Sequence, residues 1–244
     1  TAIKADPEYR PLSLIEAFRG IWRTIKVMFS TPTAIAVIIG FSGLIFGLNG
    51  YLQWMVAFFQ EKFPTMDKVD ASTHAMLYTH LAAFIGIMIA GPLSNMASKH
   101  PQRRTMMQGL GLILSIPFIL MMTLPHEVAN NILGGCLPEL TVMCIGLAGF
   151  GFFRAFFDAN TYVVLYDVIP AKYHSSASGV LIMAGFGIGS LSTWLIGKMQ
   201  VASGSYENGF IMIAIVWGVT GILTWLGGQL FYKKDILKLQ QNEK

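Results

Sequence analysis

The stretch Phe152-Phe153-Arg154-Ala155-Phe156-Phe157-Asp158-Ala159-Asn160 places an arginine and an aspartate midway along a segment, Leu137 to Ile169, that is otherwise apolar enough to cross a bilayer. An ionisable side chain at the centre of a membrane helix costs about 2.5–3.5 kcal/mol on insertion scales, and such residues are rare and mark function by default. Arg154 lies near the midpoint, and Asp158 follows one helical turn later on the same face. The pair is therefore expected to point into a polar space and not into lipid.

Working outward, hydrophobic residues make up 54% of the 244-residue chain and charged residues only 12%, against about 25% charged in an average soluble domain. Mean hydropathy is +0.56. Apolar runs at roughly 33–59, 74–97, 105–124, 138–169, 176–198 and 208–232 each meet or exceed the ~20 residues that a helix needs to span a membrane. None alternates with the two-residue period of barrel strands, so helices are the expected form. The chain reads as an all-α integral membrane protein. Residues 1–32 form a linker containing an amphipathic helix, residues 33–232 a six-helix transmembrane unit, and residues 233–244 a tail.

Most of the 17 basic residues fall on one side of this topology: Lys4, Arg10, Arg19, Arg23, Lys26, Lys99, Arg103, Arg104, Lys172, Lys233, Lys234, Lys238 and Lys244. Only Lys62, Lys68 and Lys198 fall on the other. The positive-inside rule then puts both termini in the cytoplasm of a multi-pass protein of the cell (inner or plasma) membrane. The pI of about 9.1 reflects that asymmetry, and no aromatic-interleaved basic patch suggests nucleic acid.

Before the first span, Leu14, Ile15, Phe18, Ile21, Trp22, Ile25 and Phe29 recur at three- and four-residue steps, with Arg19, Arg23 and Lys26 mostly opposite. Ser13 and Glu16 make a capping box at its start. This pattern suits a helix lying on the inner membrane surface with its basic face towards anionic headgroups; a helix packed on a soluble partner is the alternative. Glycines recur within the spans, at Gly43 and Gly47, at Gly185, Gly187 and Gly189, and at Gly218, Gly221, Gly227 and Gly228. Such residues allow close helix packing in lipid. Cys136 is expected in an outer loop and Cys144 two turns into the fourth span, where the two could not bridge. The chain begins at Thr1 without an initiator Met or a cleavable signal, and is expected to be part of a longer polypeptide.

Three stretches together resemble the C-terminal half of a major facilitator superfamily (MFS) transporter. Gly91-Pro92-Leu93-Ser94-Asn95, with Lys99, Arg103 and Arg104 after it, resembles the superfamily's Gly-x-Leu-x-Asp-Arg loop, with Asn95 where an acidic residue is usual. Tyr166-Asp167-Val168-Ile169-Pro170-Ala171-Lys172-Tyr173-His174, followed by Ala177-Ser178-Gly179, resembles the inner connection between the tenth and eleventh helices. Arg154 to Asn160 resembles the Arg-Gly-Phe-Tyr-Asp-Ala-Asn signature of its sugar and organic-anion carriers. The resemblance covers essentially the whole chain. It implies half of a twelve-helix fold, built as two inverted three-helix repeats, with the first and fourth spans lining a cavity against a missing N-terminal six-helix half. A gate at the inner loop would then involve Gly91, Asn95, Arg103, Arg104 and Asp167.

The candidate site residues follow from both readings. Arg154 would bind an anionic substrate through paired hydrogen bonds, and Asp158 would accept a sugar hydroxyl or carry a coupling proton; alternatively the two neutralise each other and lock the helix. Ser42, Phe46, Asn49 and Gln53 share a face of the first span, with Tyr51 and Trp54 adjoining. Amides beside aromatic rings suit a hydroxylated ligand, although interhelical bonding and an interfacial aromatic belt give the same pattern. Asn160 is a further pocket candidate. His80, in the outer half of the second span, is a candidate proton relay or a residue bonded to a neighbouring helix.

No enzyme, cofactor or metal motif is present in the sequence. The expected function is secondary transport of a small polar solute, a sugar, sugar acid or other organic anion, coupled to protons, with membrane lipids as surroundings. A six-helix dimer working alone and a non-transporting scaffold or receptor are the alternatives.

Overall fold

The structure, a computed structural model, describes residues 14–125, 127–128, 131 and 137–242. Ser13 of the capping box, Cys136 and the basic residues Lys4, Arg10 and Lys244 lie outside them. Among the described residues there is no strand. Helix α1 (Leu14–Phe29) leads into α2 (Pro32–Lys62), α3 (Lys68–Met96), α4 (Gln102–Thr123), α5 (Glu139–Val168), α6 (His174–Ser203) and α7 (Glu207–Gly227). A π-helical turn, Gly228–Tyr232, joins α7 to α8 (Lys233–Asn242). Six of these helical segments are long and apolar enough to cross a membrane, in agreement with the six apolar runs. Their ends extend a few residues beyond several of those runs, because polar residues such as Lys68 and Asp70 continue the helix past the apolar stretch.

Apart from α4 and α5, spans adjacent in sequence pack little against one another. The extensive interfaces are α3 with α5, α4 with α5, α2 with α6, α2 with α7, and α4 with α7. Helix α2 is the most enclosed, with 72% of its most apolar window buried, whereas α3 has 22%. So α2 is central, and α3 is a lateral helix whose outer face is left uncovered by the other described residues.

Small residues make these interfaces possible. The buried face of α3 consists of Ala71, Ala75, Thr79, Ala83, Gly86, Ala90 and Ser94, at three- and four-residue steps. With no long side chain between them, α3 and α5 come into backbone contact: a Cβ at Gly151 would strike the Thr79 carbonyl, and one at Gly86 the Phe152 carbonyl. In lipid, where apolar side chains gain nothing by leaving the bilayer, such close packing supplies the attraction. The α2–α7 seam works similarly. Gly40, Gly43 and Gly47 receive Thr224, Thr220 and Trp217, and the Trp217 indole donates to the Gly43 carbonyl at 2.8 Å.

Charge divides the bundle ends. The end where α2 begins and α5 finishes carries Arg19, Arg23, Lys26, Lys99, Arg103, Arg104, Lys172, Lys233, Lys234 and Lys238, against Glu16, Asp167 and Asp235. The opposite end carries Lys62, Lys68 and Lys198 against Glu61, Asp67, Asp70, Glu127, Glu139 and Glu207. At this acidic end, Lys62 pairs with Glu207 at 3.3 Å, and Glu61 accepts from the Ser205 hydroxyl, tying α2 to the α6–α7 turn. At the basic end, Asp235 of α8 accepts from the Thr33 amide at 2.9 Å. It supplies the cap that Thr31, beside the first turn of α2, does not make with its own side chain, and a carboxylate is favoured at that position by the helix dipole.

Candidate functional site

Helix α5 presents different residues to each neighbour. Phe150 stacks on Trp217 with centroids 5.0 Å apart and lies against Tyr51 at 4.9 Å, while Phe157 packs beside Gly40 of α2. Gly151 and Ala155 meet α3. Helical geometry puts Arg154 and Asp158 between these two sides, where α5 looks towards the gap between α2 and α3.

There Arg154 donates from Nη1 to the Asp158 carboxylate at 2.7 Å. The arginine side chain is 10% exposed and the aspartate 29%. Arg154 Nε is buried and has no partner among the described residues. One edge of the guanidinium is thus engaged and another polar atom is left desolvated, which costs free energy until an acceptor reaches it. Such a pair can exchange partners. An incoming carboxylate or phosphate would take Arg154 in charge-assisted bonds and free Asp158 to titrate or to accept from a hydroxyl.

The other candidates are distributed more widely than the sequence suggests. Asn49 is half-buried against Gly189 of α6, and Gln53, one turn on, is exposed. Ser42 is buried on the same helix face, and its hydroxyl has no partner among the described residues. Tyr51 points away from this face. Its hydroxyl bonds to the Ala75 carbonyl and to Thr79 Oγ1, at 2.5 and 2.6 Å, so it ties α2 to α3. Trp54 ties α2 to α6 by donating from Nε1 to the Thr193 carbonyl at 2.9 Å.

Asn160 does not join Arg154. Six residues along a helix is about 240° of rotation, and Asn160 lies fully buried on the side of α5 that meets α4. Its amide donates to the Phe156 carbonyl at 2.9 Å. His80 is exposed on α3 and bonds to the Met76 carbonyl of its own helix.

At the basic end the predicted gate residues separate into two groups. Arg104 donates to Asp167 at 2.6 Å, and its Nε reaches the Ser94 carbonyl at 3.4 Å. Tyr232, the last residue of the π turn, donates to the same Asp167 oxygen. Helices α4 and α5 and the α7–α8 junction thus meet on one carboxylate, and α3 joins them through Arg104. Arg103 and Asn95 are exposed, and a side chain at Gly91 would touch nothing.

Two features were not singled out from the sequence. Tyr232 gave no signal, because an aromatic residue at the end of an apolar run reads as an interfacial anchor. His74 lies near the acidic end with its ring stacked on Tyr78 and Phe59, and its Nδ1 is 3.9 Å from Cys144 Sγ. His74, Tyr78 and Cys144 line a groove of about 320 Å³ between α3 and α5. Among the described residues no group of three His, Cys, Asp or Glu side chains is gathered to hold a metal ion.

No known family model matches this chain, and no curated protein is similar enough to stand as a relative. The class that the fold itself defines is an all-helical bundle with six membrane-length helices. The site adds a buried, intrahelical arginine–aspartate pair.

Proposed function

We propose that the chain is one six-helix half of an MFS-type secondary carrier that moves a sugar, sugar acid or other organic anion, with protons as the coupling ion. The observation that carries this reading is Arg154: a guanidinium near the middle of a membrane-length helix, nine-tenths buried, with an unmet Nε–H and an exchangeable bond to Asp158. Arg154 holds the anionic group of the substrate. Asp158 takes up the proton or a substrate hydroxyl when that bond opens, and Asn49 and Gln53 meet further hydroxyls from α2.

The packing pattern supports two related triplets, α2–α4 and α5–α7. Exchanging one triplet for the other converts the α3–α5 interface into α6–α2, and α4–α5 into α7–α2, and leaves α4–α7 unchanged; all of these are extensive interfaces. Three crossings per triplet reverse the direction of the second, as in inverted-repeat carriers. On this reading the exposed faces of α3 and α6 meet the second half, the cell membrane holds both termini at its cytoplasmic side, and the Arg104–Asp167–Tyr232 junction opens and closes the inner end.

A second reading draws on the same bond. Because Arg154 and Asp158 already pair with each other, a scaffold with no cargo would keep them as a structural lock. Uptake by the full-length protein in vesicles, with neutral sugars screened against sugar acids under a proton gradient, separates the two. Arg154→Ala should abolish uptake of the anionic substrate, and Asp158→Asn should lose gradient-driven uptake while keeping exchange. If Arg154→Lys and Arg154→Ala both leave uptake of every anionic solute intact, the anion site is wrong. Uptake of nothing by the unaltered protein favours the scaffold.

A further inference from the structure

Helix α1 carries three faces. Thr24 and Met28 are fully buried on the side that packs against α6 and α2. Arg19, Arg23 and Lys26 are exposed on the far side. Between them runs a third face that the bundle leaves uncovered: Ile15 is 65% exposed, Phe18 71%, Trp22 59% and Phe29 60%. This strip is not a misplaced core, because the side of α1 that meets the bundle is already filled.

We infer that this strip and its basic flank dock α1 onto the anionic lipid surface beside the basic end of the bundle. Three observations choose that occupant. First, α1 ends at Phe29 and the membrane-length helix α2 starts at Pro32, so so short a connection holds α1 at the level where the bilayer's polar layer begins. Second, the bulky residues adjoin the cations on the helix surface, and Lys26 Nζ lies 5.8 Å from the centroid of the Trp22 ring. That is the arrangement in which a ring sits among headgroups while a long basic side chain reaches phosphate. Third, the charge is complementary to an anionic leaflet: Arg19, Arg23 and Lys26 face Glu16 alone on α1, and Lys172, Lys233, Lys234 and Lys238 are exposed at the same end. A soluble protein partner would have no need of the membrane level, and a second copy of this chain would bring the same cations against themselves.

The test uses Trp22 as its reporter and does not require transport. The full chain is reconstituted into vesicles of brominated phosphatidylcholine, with or without brominated phosphatidylglycerol, and the Trp22 signal is taken as the difference from Trp22→Phe. Quenching should be stronger in the anionic vesicles. That increment should be lost at high salt, which screens exposed charges, and lost in Arg19→Gln/Arg23→Gln/Lys26→Gln. The salt titration on the unaltered chain keeps the test valid if the triple variant inserts poorly. Equal quenching in neutral and anionic vesicles overturns the proposal. So does an unquenched Trp22, which would mean that protein covers the strip.

Discussion

At the scale of single residues, polar groups in apolar surroundings were legible when they carried charge. Arg154 and Asp158 stand out in any hydropathy reading, and the helical period alone pairs them. Proximity in sequence groups Asn160 with them, although the same period turns it towards α4. Gln108 shows the opposite failure. It sits unmarked in the third apolar run, yet it is fully buried, and both ends of its amide lack partners among the described residues. A lone neutral amide adds nothing to a charge count and so attracts no notice, but leaving it unpaired costs about 1–3 kcal/mol. Gln108→Met, which keeps the length and removes the amide, should therefore raise the thermal unfolding midpoint in detergent, by the equivalent of about 1 kcal/mol. A lowered midpoint would mean that the amide has a partner in the working protein.

At the scale of elements, the helices themselves were written in the apolar runs, since length and composition decide them. Their partners were not. Gly43 and Gly47 mark α2 as a close-packing helix, but nothing local says that Thr220 and Trp217, far along the chain, fill the space. Glycine content alone also fails to rank the positions. Gly151 lies against the Thr79 backbone, whereas Gly91 faces open space. Gly151→Ala should force α3 and α5 apart and cost about 1–3 kcal/mol, read as a lower midpoint or reduced insertion yield. Gly91→Ala should be neutral, or stabilising by about 0.4–1 kcal/mol through the unfolded chain. Equal effects at the two positions would refute the interface as described.

At the scale of the whole molecule, charge distribution was the most readable property, because it depends on counting basic residues and not on packing. The structure gathers those of the predicted inner residues that it describes at one end of the bundle and adds a contribution that the basic count omits, the acidic residues at the other. In intact cells expressing a cysteine-free background, an impermeant maleimide should label Lys68→Cys and spare Lys99→Cys until the membrane is opened. The reverse pattern would invert the topology. The arrangement of the triplets was less accessible, because it rests on contacts between distant segments, from Gly111 with Phe153 to Gly40 with Thr224, and weak internal similarity does not encode them visibly.

The cap that Asp235 places on α2 carries a consequence for biogenesis. Thr33 and Asp235 are separated by 202 positions, so the first membrane-length helix is threaded well before its cap has been synthesised. Until then its leading amides have only water or headgroups to bond. The basic end therefore sets last, and a lesion in α8 should appear as a loosened start of α2, with the defect reported some 202 positions upstream of the mutation.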